Sequence, residues 1–329
     1  MSDNLQFGLD DFVDILKAAA EPTRLRLLLL LAAGDLTVTD LTEILGQSQP
    51  RISRHLKLLG EAALIDRYQE GAWAYFRLRQ EGDAALFVRA LLQSALMSDP
   101  VLKRDGDRLV QVKRIRAEKA QAYFSRNAAE WDEIRTLHIS EDEVERVLTE
   151  IIGDNPVDAF LDLGTGTGRL LQLFHGRYRR AIGVDASRDM LAVARANIEK
   201  AGLENATIRH GDIFNLPFES GQFDLVTIHQ VLHFLDNPDA AIAEAARMLS
   251  PGGRLVIVDF APHDLEYLRE EHQHMRLGFS HATMDDWLRK AGLDVVRTID
   301  LESAKASDAA LTVTIWLARD RRIEVAGQD

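Results

Sequence analysis

The sequence predicts two domains of different class: a small α+β helix-turn-helix domain with a β-hairpin, then an α/β domain on a mostly parallel sheet. Three observations carry this. Helical periods and one hairpin pattern occupy residues 9–79. From Asp158 onward the pattern becomes strand, glycine turn, helix, repeated. The length, 329 residues, is also about twice that of an ordinary domain. The expected division is residues 1–98 for the first domain, 99–150 for a helical connector and lid, and 151–329 for the second.

In the first domain, residues 9–20 and 22–33 have helical period, with Pro22 suited to a first helical turn and Gly34-Asp35 stopping the second helix. Thr37 is placed to cap a short helix ending near Gly46, and Ser48 to cap the next, which runs to about Leu64. Two helices joined by the tight turn Gly46-Gln47 make a helix-turn-helix. Residues 65–69 and 72–78 alternate around Glu70-Gly71, a hairpin with tight-turn chemistry.

Residues 82–150 read as helical, with a break at Ser98-Asp99-Pro100 and a dimerising helix at 84–97. The basic run Lys103, Arg104, Arg108, Lys113, Arg114, Arg116, Lys119 and Arg126 reads as a solvated helix face, ahead of a second DNA contact. In the second domain, strands are expected at 159–163, 181–185, 207–211, 223–228 and 254–260, with helices at 170–174, 187–201 and 240–249. Two late β segments, 294–301 and 311–318, follow a helix at 284–291.

Composition removes whole classes of function. There are 39 Lys+Arg against 52 Asp+Glu, a net charge of −13, so any contact with a polyanion must be local. The chain has no cysteine, which excludes disulfides, thiolate metal sites and cysteine nucleophiles. The longest apolar run, 27–33, is too short to cross a bilayer, and the acidic start does not resemble a signal peptide. A soluble, cytoplasmic protein is expected.

A local DNA contact is present in the pattern. On Ser48-Gln-Pro-Arg-Ile-Ser-Arg-His-Leu-Lys-Leu-Leu59, helical spacing turns Ile52, Leu56 and Leu59 inward. It leaves Ser48, Gln49, Arg51, Ser53, Arg54, His55 and Lys57 as the set for a DNA groove, with Arg67 and Arg77 of the hairpin for flanking phosphates. Ala20-Glu-Pro-Thr-Arg-Leu-Arg-Leu-Leu, Leu36-Thr-Val-Thr-Asp-Leu and Gln47-Ser-Gln-Pro-Arg-Ile-Ser-Arg-His-Leu together resemble the winged-helix ArsR/SmtB repressors over residues 10–95. The resemblance implies a homodimer on a palindromic operator, released by a ligand. Metal-sensing members carry cysteines where this chain has Thr37 and Thr39, so soft-metal sensing through that site is excluded.

The second domain opens on Phe160-Leu-Asp-Leu-Gly-Thr-Gly-Thr-Gly-Arg169. Its glycines stand at every second position, unlike the G-x-G-x-x-G that seats a pyrophosphate on a helix. Such a loop lets backbone approach a ligand that lacks phosphates, with Asp162 available to a cationic group. Asp185, ending the second strand, suits the two hydroxyls of a ribose, and Asp212 after the third suits a base amine.

With Asp185-Ala-Ser-Arg-Asp-Met-Leu191, Phe223-Asp-Leu-Val226 and Leu249-Ser-Pro-Gly-Gly-Arg-Leu255, this pattern resembles class I S-adenosylmethionine-dependent methyltransferases over residues 115–320. The resemblance implies a Rossmann-like, seven-stranded, mostly parallel sheet. It implies Gly164, Thr165, Gly166 and Gly168 along the methionine part, Asp185 with Ala186 at the ribose, and Met190 nearby. Gly211, Asp212 and Ile213 would meet the adenine, and His229 would stand beside the methyl group as the candidate catalytic residue.

Tyr123, Phe124 and Trp131 read first as helix packing, with a lid over the ligand as the alternative. His229, His233, His272 and His274 are base candidates, and they read as histidines without a metal. The fourth strand ends in Thr-Ile-His-Gln rather than Asn-Pro-Pro-Tyr, which argues against amino-methylation of DNA adenine. Arsenite and cytosine methylation need cysteines that this chain lacks. The expected function is a DNA-binding transcriptional regulator controlled by S-adenosylmethionine or S-adenosylhomocysteine. The alternative is an active small-molecule methyltransferase that regulates itself through its DNA-binding domain.

Overall fold

The computed structural model describes residues 8–70, 73–79, 82–93, 99–128, 131, 141–154, 156–302 and 311–322. They form two compact units, dividing between Glu118 and Lys119.

The first unit contains α1 (Leu9–Ala19), α2 (Pro22–Ala32), β1 (Leu36–Thr37), α3 (Val38–Leu45), α4 (Gln49–Glu61), β2 (Ile65–Glu70), β3 (Trp73–Leu78) and α5 (Asp83–Gln93). Helix α6 (Pro100–Asn127) begins in it. The antiparallel sheet has the order β1-β3-β2, with Ile65 opposite Leu78 and Leu36 opposite Phe76. Thr37 caps α3 reciprocally: Asp40 N–H donates to Thr37 Oγ1 at 3.2 Å, while Thr37 N–H donates to Asp40 Oδ2 at 2.8 Å. Thr37→Ala is expected to lower this unit's stability by about 1 kcal/mol, read as a drop in its melting temperature. Gly46 closes α3 in the left-handed conformation. Ser48 does stand at the N-cap of α4, but its side chain makes no capping bond there.

The core of this unit gathers Leu27, Leu28, Leu41, Ile44, Ile52, Leu56 and Leu59, and it also takes Leu109 and Val112 from α6. That helix was expected to begin a separate connector after residue 98. Its first half packs into the winged unit because polar groups as well as apolar ones hold it there. Arg26 gives Asp105 two hydrogen bonds, of 2.5 and 2.8 Å. Arg108 donates to Ile44 O at 2.9 Å and Lys113 to Ala33 O at 3.0 Å. These two cations sit on the carbonyl ends of α3 and α2, where the helix dipoles favour positive charge. The basic run is thus only partly a solvated face. Of the helix expected at 84–97, residues 94–98 lie outside the described residues.

The second unit is a seven-stranded sheet in the order β6-β5-β4-β7-β8-β10-β9. Its strands are β4 (Val157–Leu163), β5 (Tyr178–Asp185), β6 (Ala206–His210), β7 (Phe223–His229), β8 (Leu249–Phe260), β9 (Leu293–Glu302) and β10 (Thr312–Asp320). The first five pair in parallel, and β10 runs antiparallel between β8 and β9. Period two sorts the core: Phe160, Val256 and Val258 enter one layer, while Leu161, Leu163, Leu255 and Ile257 enter the other. β8 starts five residues before the expected Arg254, since Leu249 already pairs with Phe223 and the Gly252-Gly253 stretch is absorbed as an irregularity. No described helix is long and apolar enough to cross a membrane.

Candidate functional site

The site lies where β4, β5, β6 and β7 end, at the point where the strand order reverses from β4 to either side. Two backbone bonds to Val184 O, from Gly164 N at 2.8 Å and Thr165 N at 3.0 Å, tie the glycine loop to β5. Gly164 has φ +69°, and a side chain there would begin 2.3 Å from Val231 Cγ2, so only glycine fits. Asn197 Nδ2 donates to Thr167 O at 3.0 Å, and Arg169 forms two 2.6 Å bonds with Glu145. The loop is therefore clamped from two helices, Arg188–Ala201 and Glu141–Ile152.

Asp185 organises the centre. Its Oδ2 accepts Gly166 N–H at 2.9 Å and its Oδ1 accepts Ser187 N–H at 2.8 Å. Burial pushes this carboxyl up, and the backbone donors of Ser187, Gly166 and Ala186 pull it back. A carboxylate oxygen with one donor keeps lone pairs for another, so Asp185 is suited to a ligand diol. Ala186 is exposed beside it, and Met190 is buried at the start of the following helix. Gly211 lies against Val184, where a Cβ would come within 2.8 Å. Asp212 is exposed and takes Phe214 N–H at 3.0 Å, with Ile213 half-buried beside it. Thr165 Oγ1 is buried and has no hydrogen-bond partner among the described residues.

Asp162 lies inside β4 with 2 % exposure and accepts the Thr227 hydroxyl at 2.6 Å, so it braces β4 against β7. His229 ends β7 half-buried, and Gln230 follows at φ +54°, which turns the chain so that Val231 meets Gly164. Trp131 reaches the glycine loop, with Nε1 3.8 Å from where a Gly166 side chain would begin. It also packs edge-on to Phe124 at 5.2 Å. Tyr123 Oη bonds His272 Nδ1 at 2.7 Å. His233 and His274 are buried and stack at 4.1 Å. Among the described residues, no three His, Asp or Glu are arranged to hold a metal.

Sequence reasoning missed Gln230 and Asp259, whose carboxylate bonds His233. Only Asp259 carried a signal, as an acid closing the apolar run Leu255-Val-Ile-Val258.

On α4, Gln49, Arg51, Ser53, Arg54 and Lys57 are exposed along one side, while Ile52, Leu56 and Leu59 are buried. His55 departs from the DNA-facing set. It turns towards the start of α2, with Nδ1 3.6 Å from Glu21 Oε2 and its side chain 13 % exposed. Desolvation and the neighbouring Arg24, Arg51 and Arg54 lower its pKa, which Glu21 only partly offsets. In the hairpin, Arg67 donates to Gln69 Oε1 and Arg77 lies over the Tyr68 ring at 5.4 Å.

Residues 21–67 match the bacterial regulatory protein, arsR family, and residues 161–257 match the methyltransferase domain family. The chain joins an ArsR-family domain to a methyltransferase domain. Among curated relatives, the uncharacterized methyltransferase YcgJ of Bacillus subtilis is 35 % identical over 105 residues, 32 % of this chain and 42 % of that one. The demethylmenaquinone methyltransferase of Thermus thermophilus is 41 % identical over 104 residues, 31 % of this chain and 47 % of that one. The arsenite methyltransferase of Aquipseudomonas alcaligenes is 36 % identical over 109 residues, 30 % of this chain and 32 % of that one. The chain thus spans less than half the length of these relatives. The crystal structure of YcgJ aligns with a TM-score of 0.48 at 20 % identity, covering 55 % of this chain and 100 % of that one. The methyltransferase domain match ends at Ile257, within β8, and so leaves out β9 and β10.

Proposed function

We propose that this protein is a DNA-binding transcriptional regulator whose methyltransferase domain holds S-adenosylmethionine or S-adenosylhomocysteine as its controlling ligand. The observation that carries the reading is Asp185, fixed by Gly166 N–H and Ser187 N–H at the mouth of a phosphate-free glycine loop. The residues fit such a ligand. The loop offers close backbone approach, Thr165 Oγ1 is a buried polar atom beside it with no hydrogen-bond partner among the described residues, and Asp185 and Asp212 supply acceptors for hydroxyls and an amine. Gly164, Thr165, Gly166 and Gly168 would line the methionine portion and Asp185 with Ala186 the ribose. Met190, Gly211, Asp212 and Ile213 would surround the adenine, and His229 would stand nearest the sulfonium. When bound, S-adenosylmethionine supplies an electrophilic methyl group. The chain's own part is to orient the ligand and shield it with Trp131.

On the DNA side, the exposed side of α4 would enter the major groove as one half of a homodimer on a palindromic site. Arg54→Ala is expected to weaken operator binding about tenfold, measured by fluorescence anisotropy, while the protein's melting temperature stays unchanged.

A ligand shifts DNA affinity only if it binds the free and DNA-bound states unequally. The test titrates the DNA upstream of the protein's own gene with each ligand at fixed salt. A shift of about tenfold, or about 1.4 kcal/mol of coupling, from S-adenosylhomocysteine and none from S-adenosylmethionine is the expected result. Binding of both with no change in DNA affinity would overturn the sensing role and leave an active methyltransferase as the better account. Arsenite is a poor acceptor for that alternative, because the chain supplies no thiolate.

A further inference from the structure

Of the 10 histidines in the chain, only His55 falls within the winged unit, and the chain has no cysteine. His55 is therefore the one side chain of that unit whose ordinary pKa lies between pH 5 and 8. It belongs to α4, the helix assigned to the DNA groove, yet its ring turns to the start of α2. Nδ1 is buried there with no hydrogen-bond partner among the described residues, 3.6 Å from Glu21 Oε2. The same oxygen accepts Arg24 N–H at 2.9 Å and so caps α2. A proton on Nδ1 would face that carboxylate and tie α4 to the capped end of α2.

The charges acting on the ring are Glu21 and Arg24 from α2, and Arg51 and Arg54 from α4 itself. Other elements packed on α4 keep their charges engaged elsewhere. Asp14 and Lys17 of α1 pair with each other in solvent, Asp40 of α3 is held in the Thr37 cap, and Asp66 of β2 pairs with Arg79. Burial opposes the charge on Glu21, but the backbone donors of Arg24 and Thr23 and the Thr23 hydroxyl outweigh it, so this carboxyl stays ionised. At His55 the balance runs the other way. Desolvation and the three guanidiniums together exceed the pull of Glu21, so the imidazole is held neutral.

Two of those guanidiniums, Arg51 and Arg54, are on the exposed side of α4. A phosphate that meets either one offsets its positive field at the ring, so the imidazolium is disfavoured less in a DNA complex than in the free protein. We propose that His55 is a positioning residue for α4 that takes up a proton when the protein binds DNA. The inference rests on the DNA-binding reading of the winged unit and is independent of any ligand in the second unit. The sign follows from linkage: the complex holds more protons than the free protein, so lowering the pH strengthens binding. With its proton in place, His55 locks the groove-facing helix to α2 through Glu21.

The experiment measures the affinity of the full chain for a labelled duplex taken from upstream of its own gene, at fixed salt, from about pH 8 to about pH 6. The wild type is expected to bind about tenfold more tightly at the acid end than His55→Gln does, once the two curves are matched at the alkaline end. The histidines of the second unit titrate alike in both proteins, so this difference belongs to His55. Glu21→Gln, which keeps an oxygen for Arg24 N–H, should move the rise to lower pH. Calorimetry in two buffers of different ionisation enthalpy counts the protons taken up on binding, and the wild type should take up more than either variant. If the duplex is not bound at any pH, the DNA-binding reading falls and the inference with it. If it is bound with the same pH profile and proton count in wild type and His55→Gln, only the role of His55 is overturned. Melting curves identify a His55→Gln protein that has not folded. The comparison with Glu21→Gln then decides, and equal counts and profiles overturn the proposal.

Discussion

Asp105→Ala is expected to destabilise the winged unit by about 3 kcal/mol, although residue 105 is far in sequence from the helix-turn-helix it supports. The side chains of Arg26 and Asp105 are 13 % and 4 % exposed, and the pair is bidentate. Removing the carboxylate leaves a largely buried guanidinium without its hydrogen-bonded counter-charge, which costs far more than losing a surface ion pair. Asp105→Asn keeps a hydrogen-bond acceptor and should fall between the two. Lys113→Ala, which removes one exposed bond to Ala33 O, should change stability by no more than about 0.5 kcal/mol. Urea unfolding followed by far-ultraviolet circular dichroism measures all three. An Asp105→Ala midpoint equal to that of Lys113→Ala would show that the helix is a passenger on the unit rather than a part of its core.

The second large effect is expected at Asp185. Asp185→Ala should weaken S-adenosylhomocysteine binding by about 100-fold, equivalent to about 2.8 kcal/mol. Two losses combine there: the acceptor for the ribose hydroxyls, and the acceptor that holds Gly166 N–H in place. Asp162→Ala should behave differently. Its carboxylate accepts the Thr227 hydroxyl between strands, so the change should lower the melting temperature of the unliganded domain. Calorimetry on the two variants, with a melt of each, separates a ligand contact from a sheet brace. A weak response of affinity to Asp185→Ala would remove the observation on which the ligand reading stands.

Much of this was legible because it is local. Caps such as Thr37, the apolar spacing of Ile52, Leu56 and Leu59, and the alternating strands all act within a few residues, where helical and strand periods constrain the chain. The glycine loop was legible for the same reason: a close backbone approach leaves glycines at fixed spacing. What escaped was set by partners distant in sequence. Arg26 and Asp105 are separated by 79 positions, and nothing at either residue names the other. The hydroxyl that Asp162 accepts comes from Thr227 on β7, 65 positions away. His55 lies next to the inward face of α4, and only the location of Glu21 decides which way its ring turns. The positive φ of Gln230 had no sequence counterpart, since glutamine, unlike asparagine or glycine, is not enriched in that conformation.

The seating of α6 on the winged unit has a consequence for how the protein is made. Domains generally fold as units while the ribosome still holds the rest of the chain, at ~5–20 residues per second. All of the helix-turn-helix and both hairpin strands are synthesised by residue 78, yet the carboxylate that Arg26 grips with two hydrogen bonds is absent until Asp105 has left the exit tunnel. The winged unit therefore waits with part of its core open until the stretch up to Glu118 emerges. Synthesis of residues 99–118 alone lengthens that interval by about 1–4 s. A nascent chain released before this point would expose the groove that Leu109 and Val112 later fill, and it should be captured by chaperones that bind apolar surfaces.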